Sequence, residues 1–469
     1  CVSGSKTIET RTPANTDEIV GLFAEGTAAD MGADAAAAEA AFSGWAGMPA
    51  PARGNILFKA ADILEKKFDQ LGEEMTREEG KTLPEAKGEV RRAINIFRYF
   101  AAEGSRLNGV MVPSERERVH VFAIRKPIGV VGLVTPWNFP IAIPAWKMAP
   151  ALICGNTIVV KPASASPLCA WRLVEALHEA GIPKGVVNFV AGSGGELGEA
   201  LVNARPVKAI SFTGSNDVGH WIHAEASKRR LRIQLEMGGK NPTIVLADAD
   251  LKSAVENVCN AAFFSTGQKC TATSRAIVED GIYDQFVAAL VERTKKLKVG
   301  NGMQAGIDIG PCVDKGQLET VLKYIEIARK EGGEPLCGGK HLTGEGYDKG
   351  YFVEPTIFAD VKPEHTLAKE EVFGPVLAIL RAKDFDDAMR IANDTPFGLS
   401  SSIQTSNLSK AIDYVYRAEA GLLTVNLPSA GVEYQLPFGG TKDSSFGPKE
   451  QGPAAFDFYS DYKTVYLKY

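Results

Sequence analysis

The sequence predicts an α/β protein whose main feature is a parallel, doubly wound sheet. Short apolar runs of strand length alternate with helix-length segments from residue 128 onwards, and a second series of this kind begins near residue 243. Strands that alternate with helices pair in parallel, because each helix returns the chain to the same edge of the sheet. At roughly 150 residues per domain, the chain is long enough for two or three domains.

Three helices and an exposed hairpin are expected before residue 128. The Ala-rich segment 28–48 predicts the first helix, and two further helices are expected over 52–79 and 84–104. Polarity then rises through 113–118. The alternation of apolar and polar residues over 119–124 is typical of an exposed hairpin or arm.

Two α/β series follow the hairpin. The first predicts strands over 128–135, 156–161, 186–190 and 208–212, with helices over 145–153, 168–181, 195–203 and 217–228. The second predicts strands over 243–246, 274–279 and 376–381, with helices over 251–264, 281–297, 315–331, 384–394 and 406–417. The final strand pattern, 464–467, has no evident partner in its own domain. We expect it to complete a sheet in another subunit.

The composition excludes several classes of protein. The formal net charge is −5, so the basic footprint of a nucleic-acid-binding protein is missing. The uncharged stretch between Lys126 and Lys147 contains four prolines, which predicts a buried strand and a loop and no contact with a membrane. The seven cysteines form no C-x-x-C pair, so we expect free thiols in the cytoplasm and no bound metal.

Three segments carry the parts of a nucleophilic reaction. Cys270 follows Phe264-Ser265-Thr266-Gly267-Gln268-Lys269, a context of small and polar residues in which a thiol can attack a carbonyl carbon. Glu236 precedes two glycines and can activate water against the resulting thioester. Asn138, held between two prolines, offers a side-chain amide for an oxyanion.

Two further positions fit a nucleotide. Lys161 ends a predicted strand, and nucleotides bind at the carboxyl ends of parallel strands. The glycine turn Phe212-Thr213-Gly214-Ser215 lies between a predicted strand and a helix, where it can face a pyrophosphate. A looser glycine segment begins at Gly192 and lacks the last glycine of the usual dinucleotide pattern.

Taken together, seven strings in one order resemble the aldehyde dehydrogenase superfamily. They are T-P-W-N-F-P, V-V-K-P, F-T-G-S, L-E-M-G-G-K-N-P, G-Q-K-C, E-E-V-F-G-P and P-F-G-G. The resemblance implies a Rossmann-type cofactor domain over 1–107 and 128–238, an α/β catalytic domain over 239–440, and a small β oligomerisation arm of 108–127 and 455–469. It also implies a homodimer or homotetramer.

The resemblance implies oxidation of an aldehyde to a carboxylic acid through a thiohemiacetal and a thioester on Cys270. The expected contacts of the NAD or NADP cofactor are Trp137, Lys161, Ser164, Gly192, Phe212, Gly214, Ser215, Glu371 and Phe373. Many family members that prefer NAD carry a glutamate at the position of Ser164. A serine removes the charge that would repel a 2′-phosphate, so we expect NADP to be accepted.

The substrate residues expected from the resemblance are Phe139, Trp146, Phe264, Thr271 and Phe438, with Arg98 as a candidate for a distal acid group. Segments 141–147, 267–275 and 428–452 resemble α-ketoglutaric semialdehyde (2,5-dioxopentanoate) dehydrogenases. This predicts a short acid-bearing semialdehyde as substrate. The alternatives are succinic semialdehyde, sulfolactaldehyde, a cofactor-independent thiol esterase and a non-catalytic structural protein.

Overall fold

Two six-stranded sheets organise the fold, which is known from a computed structural model that describes residues 6–469. Cys1 therefore lies outside the described residues. The strands are β1 Thr7–Thr12, β2 Asn15–Ala24, β3 Val110–Val112, β4 Val119–Pro127, β5 Val130–Val134, β6 Thr157–Lys161, β7 Val187–Phe189, β8 Val207–Thr213, β9 Arg232–Glu236, β10 Pro242–Val245, β11 Arg275–Glu279, β12 Thr356–Phe358, β13 Val376–Ala382, β14 Phe397–Gly398, β15 Ser400–Gln404, β16 Leu422–Val425, β17 Thr441–Lys442, β18 Ser445–Phe446 and β19 Ser460–Lys468. The helices are α1 Ala28–Gly47, α2 Ala50–Lys66, α3 Phe68–Glu79, α4 Leu83–Glu103, α5 Ala142–Ile153, α6 Pro167–Glu179, α7 Gly194–Asn203, α8 Asn216–Arg229, α9 Leu251–Phe263, α10 Tyr283–Thr294, α11 Lys315–Gly332, α12 Thr366–Lys369, α13 Phe385–Asn393, α14 Leu408–Arg417 and α15 Ala455–Tyr459.

The first sheet has the strand order β18-β9-β8-β5-β6-β7. All of its neighbouring strands are parallel except β18, which pairs antiparallel with β9. Successive residues of β6 face opposite sides: Val159 joins a core with Met31 of α1, whereas Ile158 and Val160 join the core that contains Phe97 of α4. Helices thus cover both faces, which confirms the predicted doubly wound arrangement.

The second sheet has the order β12-β13-β11-β10-β15-β16, and every neighbouring pair is parallel. Its strands are buried on both sides, with Ile277 in one core and Val278 in the other. The chain passes from the first sheet to the second between β9 and β10. The division into cofactor and catalytic domains stays a prediction.

The C-terminal strand has a partner within its own chain, which the local sequence pattern does not reveal. β19 pairs antiparallel with β4 of the same chain, from Ser460 opposite Pro127 to Lys468 opposite Val119, in the sheet β19-β4-β3. β3 and β4 form the predicted hairpin, and β19 pairs with the other edge of β4. A pairing between residues so far apart leaves no local signal. β19 is an edge strand of this sheet, and its pairing with a sheet of another subunit stays a prediction.

Several short or polar strands were also missed. β1 and β2 form a separate hairpin, and β15 reads Ser-Ser-Ser-Ile-Gln, which lacks the apolar run of a buried strand. The expected helix over 52–79 is divided at Lys67 into α2 and α3. Across residues 6–469, no helix has the length and apolar character needed to cross a membrane.

Candidate active site

A cavity of about 190 Å³ lies at the carboxyl edge of the first sheet, and we call it the sheet-edge cavity. Loops that follow β5, β8 and β9 form much of its wall, because the strands are parallel and their carboxyl ends meet there. Its lining residues are Pro136, Trp137, Asn138, Thr213, Gly214, Ser215, Met237, Gly238, Cys270, Gln317, Glu371 and Phe373. The structure therefore brings Cys270 and Asn138 into one cavity.

Cys270 follows an unusual turn at the end of α9. Ser265 and Thr266 have positive φ angles of 54° and 57°, so the chain reverses sharply before it reaches the thiol. The Asn241 amide donates a hydrogen bond of 2.7 Å to the Cys270 carbonyl and holds the backbone there. Burial, followed by the charge of Glu236, raises the pKa of the Cys270 thiol to about 12. The thiol is therefore protonated at neutral pH.

The Asn138 loop is held by a buried ion pair. The Lys81 amine donates a 2.7 Å hydrogen bond to the Asn138 carbonyl oxygen. It also forms an ion pair with the Glu89 carboxylate, with 2.5 Å between nitrogen and oxygen. Glu89 accepts two 3.0 Å hydrogen bonds from the amides of Ile141 and Ala142 at the start of α5. Since Glu89 satisfies these amides, the Asn138 side chain is not the cap of α5. Its Nδ2 instead donates a 3.0 Å hydrogen bond to the backbone carbonyl of Gln268.

Glu236 ends β9 and is buried beside the cavity. Its carboxylate is turned towards β18, where Ser445 Oγ donates a 2.5 Å hydrogen bond to it. Burial, with the charge of Glu450 as the next cause, raises the pKa of Glu236 to about 8. The carboxylate is not among the lining groups of the sheet-edge cavity, although its charge reaches the Cys270 thiol.

A second cavity of about 470 Å³, the Lys161 cavity, lies on the other side of the start of α8. Its lining residues are Val134, Lys161, Gly194, Gly195, Gly198, Glu199, Val202, Asp217, Val218, Trp221 and Ile222. Burial lowers the pKa of Lys161 to about 8. Ser164 Oγ donates a 2.8 Å hydrogen bond to the Gly192 carbonyl. These two expected cofactor residues therefore lie together.

These two cavities fit the two halves of a dinucleotide. In the Lys161 cavity, a Cβ atom added to Gly195 or Gly198 would meet no other atom within 4 Å, which leaves open space above an apolar wall that includes Trp221. In the sheet-edge cavity, the buried Thr213 hydroxyl has no hydrogen-bond partner among the described residues. Gly214, between the cavities, has no room for a side chain because Phe212 packs 2.5 Å from the position that its Cβ would take.

Aromatic and acidic groups line the far side of the sheet-edge cavity. Trp137 and Phe373 meet edge to face, with 5.4 Å between ring centroids. Glu371 accepts a 2.8 Å hydrogen bond from the Gly239 amide, and burial raises the pKa of its carboxyl to about 7. The remaining expected cofactor residue, Ser215, is the N-cap position of α8.

Cys270 also lines a third cavity of about 270 Å³, the aromatic cavity. Its lining residues are Glu85, Arg92, Phe139, Trp146, Asn260, Ser265, Lys269, Cys270, Thr271, Ala430, Gly431, Val432 and Phe438. Four of the predicted substrate residues are among them. Phe264 is not, because its ring packs against the core beneath α9.

Arg98 is the clearest correction at the site. Its guanidinium binds Asp62 and Glu65, each at 3.2 Å, and it is absent from the lining of the aromatic cavity. Arg92, six residues earlier on α4, lies in the cavity instead. Residues six apart on an α-helix point to different sides, whereas Arg91 and Arg98, seven apart, share the face that contacts Glu65.

The wall of the aromatic cavity is fixed from a distant part of the chain. Glu450 accepts a 2.8 Å hydrogen bond from Trp146 Nε1 and forms a buried ion pair with Lys147. Trp146 and Phe438 lie 5.5 Å apart between ring centroids. Nothing in the local sequence indicates these partners, since about 300 positions separate Trp146 and Glu450 along the chain.

The chain matches the aldehyde dehydrogenase family over residues 2–465. The chain belongs to that family. The α-ketoglutaric semialdehyde dehydrogenase of Bacillus subtilis is 46% identical over 461 residues, which are 98% of this chain and 94% of that protein. The 2,5-dioxopentanoate dehydrogenase of Saccharolobus solfataricus is 44% identical over 457 residues, 97% of this chain and 95% of that protein. The resemblance to this group is confirmed.

The fold of this aldehyde dehydrogenase is confirmed by a solved structure. Betaine aldehyde dehydrogenase from Staphylococcus aureus in complex with NAD⁺ has a TM-score of 0.97 and 32% identity, covering 100% of this chain and 93% of that chain. Family membership also confirms the predicted activity: the chain is an NAD(P)-dependent enzyme that oxidises an aldehyde to a carboxylic acid.

Proposed function

We propose that this aldehyde dehydrogenase oxidises 2,5-dioxopentanoate to 2-oxoglutarate. The observation that carries the proposal is the position of Cys270, which lines both the small aromatic cavity and the sheet-edge cavity. A volume of about 270 Å³ lies below the ~300–1,000 Å³ of most ligand pockets, which favours a short substrate. The names of the two relatives support this choice of aldehyde.

We propose that Cys270 is the nucleophile. Burial and the charge of Glu236 raise the pKa of the thiol, so it starts neutral. Its sulfur forms a bond with the aldehyde carbon, the carbonyl electron pair moves onto the oxygen, and the thiol proton is released to solvent water. The Asn138 amide and the Cys270 backbone N–H donate to the oxygen that gains negative charge. Bound NAD or NADP supplies the hydride acceptor that turns the thiohemiacetal into a thioester.

Glu236 is proposed to act second, as the general base. Its carboxylate leaves Ser445, turns towards the thiol and takes a proton from water, whose oxygen bonds to the thioester carbon. The carbon–sulfur bond then breaks and its electron pair returns to Cys270, with release of the acid. Because the pKa of Glu236 is about 8, this step is faster at alkaline pH.

We propose that both NAD and NADP bind across the Lys161 and sheet-edge cavities. Lys161, Ser164 and Gly192 would hold the adenosine end, Phe212, Gly214 and Ser215 the diphosphate, and Trp137, Glu371 and Phe373 the nicotinamide end. Ser164 carries no charge against a 2′-phosphate. A catalytic efficiency with NADP below about a thousandth of that with NAD, a gap of about 4 kcal/mol, would contradict this.

The experiment is an aldehyde panel measured with each cofactor, read as NAD(P)H absorbance. It contains 2,5-dioxopentanoate, succinic semialdehyde, sulfolactaldehyde and betaine aldehyde, and the control is Cys270→Ala, which we expect to be inactive. The highest kcat/KM is expected for 2,5-dioxopentanoate. A higher kcat/KM for another aldehyde would contradict the proposed substrate. Ester cleavage without NAD(P)H formation would favour the alternative of a thiol esterase. The absence of any turnover would favour the alternative of a structural protein.

We also propose a homodimer or homotetramer in the cytoplasm. The sheet β19-β4-β3 exposes apolar residues, among them Met111 at 69% and Tyr466 at 64% exposure, which suits burial against another subunit. The six cysteines within residues 6–469 are all free thiols, as expected in a reducing compartment. Light scattering that gave a mass near 50.2 kDa, that of one chain, would contradict the oligomer.

A further inference from the structure

Arg92 is a half-buried cation in the wall of the aromatic cavity, and it has no acidic partner among residues 6–469. Among residues 6–469 it forms no ion pair, whereas its neighbours on α4, Arg91 and Arg98, both bind Glu65. Its terminal nitrogens donate only to neutral acceptors, the Val432 carbonyl and the side-chain amide of Gln451. Its Nε is buried and has no acceptor in the described chain.

We infer that Arg92 binds the carboxylate at the far end of the substrate and thereby selects short aldehydes that carry an acid group. This inference rests on the proposed function, because it explains how that site recognises 2,5-dioxopentanoate. A guanidinium has five N–H groups, and two of those on Arg92 are used. Each terminal nitrogen keeps one further N–H group, and these can donate to a carboxylate in the cavity.

The surroundings of Arg92 favour an anion. A half-buried guanidinium without an ion-pair partner has lost part of its hydration, and an anionic ligand offsets that loss. The nearest acidic groups are already engaged or exposed: Glu89 binds Lys81, and Glu433 lies near the surface. Burial lowers the pKa of the Arg92 guanidinium from its ordinary value, but an arginine side chain does not lose its proton in proteins, so the charge is kept.

The other cations near the cavity are less suited to this role. Lys81 is paired with Glu89 and lies 4.4 Å from the centre of the Phe139 ring. Lys269 lines the cavity, but its amine donates 3.3 Å to the Asn260 carbonyl, and the negative charge of Glu85 is close to it. Lys269 and Arg92 both lack an ion pair, but the charge of Glu85 acts on Lys269, and the planar guanidinium of Arg92 has the N–H groups that match a carboxylate.

The position of Arg92 also fits a short chain. Its guanidinium lies over the Trp146 ring, 5.5 Å from the centroid, and Trp146 packs with Phe438 at 5.5 Å. These rings form apolar walls of the aromatic cavity. The Cys270 thiol and the Arg92 guanidinium are two polar groups that line the same cavity. A substrate with an aldehyde at one end and an acid at the other matches both.

The test compares acid-bearing and neutral aldehydes of similar length in three variants. Arg92→Met removes the charge with little change in length, Arg92→Lys keeps a charge, and Arg98→Met is the matched control on the same helix. For Arg92→Met, the ratio of kcat/KM for 2,5-dioxopentanoate to that for pentanal falls about 30-fold or more, as expected for a lost charge-assisted hydrogen bond. Arg92→Lys recovers part of the ratio, and Arg98→Met keeps it.

A binding measurement separates recognition from folding. Glutarate binding is measured by calorimetry on the protein alone, and the Kd rises about 30-fold or more in Arg92→Met but stays within about twofold in Arg98→Met. Equal losses of acid and neutral aldehyde turnover, with glutarate binding retained, would show that Arg92 only supports the Val432 loop and would overturn the inference.

Failure of the proposed function is recognised separately. If the unmodified enzyme prefers succinic semialdehyde, the proposed substrate is wrong, and the same ratio taken with succinic semialdehyde against butanal still tests Arg92. If the unmodified enzyme prefers neutral aldehydes over every acid-bearing one, Arg92 does not select for an acid and the inference is overturned.

Discussion

The raised pKa of Glu236 gives a quantitative prediction for the pH dependence of the enzyme. A carboxyl of pKa about 8 is protonated below that pH and becomes a base only above it. At pH 7 about one tenth of it is ionised, and at pH 9 about nine tenths. If thioester hydrolysis limits turnover, kcat rises about tenfold between these pH values.

The assay is steady-state NAD(P)H formation from pH 6 to 10 with saturating aldehyde, together with a rapid-mixing measurement of the first turnover. Glu236→Gln loses the rise in kcat and shows a burst of NAD(P)H followed by a slow phase, because the thioester accumulates. Ser445→Ala removes the hydrogen bond that lowers the pKa of Glu236. A charge-assisted hydrogen bond contributes about 1.5 kcal/mol, so the midpoint moves up by about one pH unit.

Two results would refute this reasoning. One is a Glu236→Gln enzyme that keeps both the pH profile and the steady rate of the unmodified enzyme. The other is a Ser445→Ala profile whose midpoint moves to lower pH, since loss of a hydrogen bond to the ionised carboxylate can only raise its pKa.

Three further changes have defined outcomes. Asn138→Ala lowers kcat by about 10²–10³-fold, the usual effect of losing one oxyanion donor; a loss below about tenfold in steady-state assays would place the oxyanion elsewhere. Ser164→Glu lowers the NADP-to-NAD ratio of kcat/KM about a hundredfold, or about 2.7 kcal/mol, and an unchanged ratio would show that this position does not face the 2′-phosphate. Lys147→Met leaves Glu450 buried without its cation and lowers the free energy of unfolding by about 3–5 kcal/mol; a urea midpoint equal to that of the unmodified enzyme would contradict it.

The sequence predicts those parts of the fold that have a local signal. α4 begins at a Thr82–Glu85 capping box, and β6 is an uninterrupted run of strand-forming residues that ends at Lys161. Such patterns depend on neighbours along the chain and need no knowledge of the tertiary structure. β15, with three serines, and the partner of β19 within its own chain depend on contacts between distant segments, and the local pattern did not reveal them.

The same distinction applies to the site. Cys270 and Asn138 are expected to meet because their segments carry complementary parts of one reaction, and they do line one cavity. Arg92 was not identified because a helix arginine is usually at the surface. Only the packing of α4 against the rest of the chain determines that Arg92 faces inwards while Arg98 faces Glu65.

The double role of Glu450 limits how the enzyme can be redesigned. Replacing Trp146 with a smaller residue would widen the aromatic cavity for bulkier aldehydes. It would also remove the indole N–H that donates to one oxygen of Glu450, since Lys147 and Ser211 both donate to the other oxygen. The freed oxygen would draw water into an otherwise dry wall or pull the neighbouring helix out of position. An enlarged version is therefore best built with Trp146→Gln, which is smaller but keeps an N–H donor for Glu450 and leaves the buried Lys147–Glu450 ion pair intact.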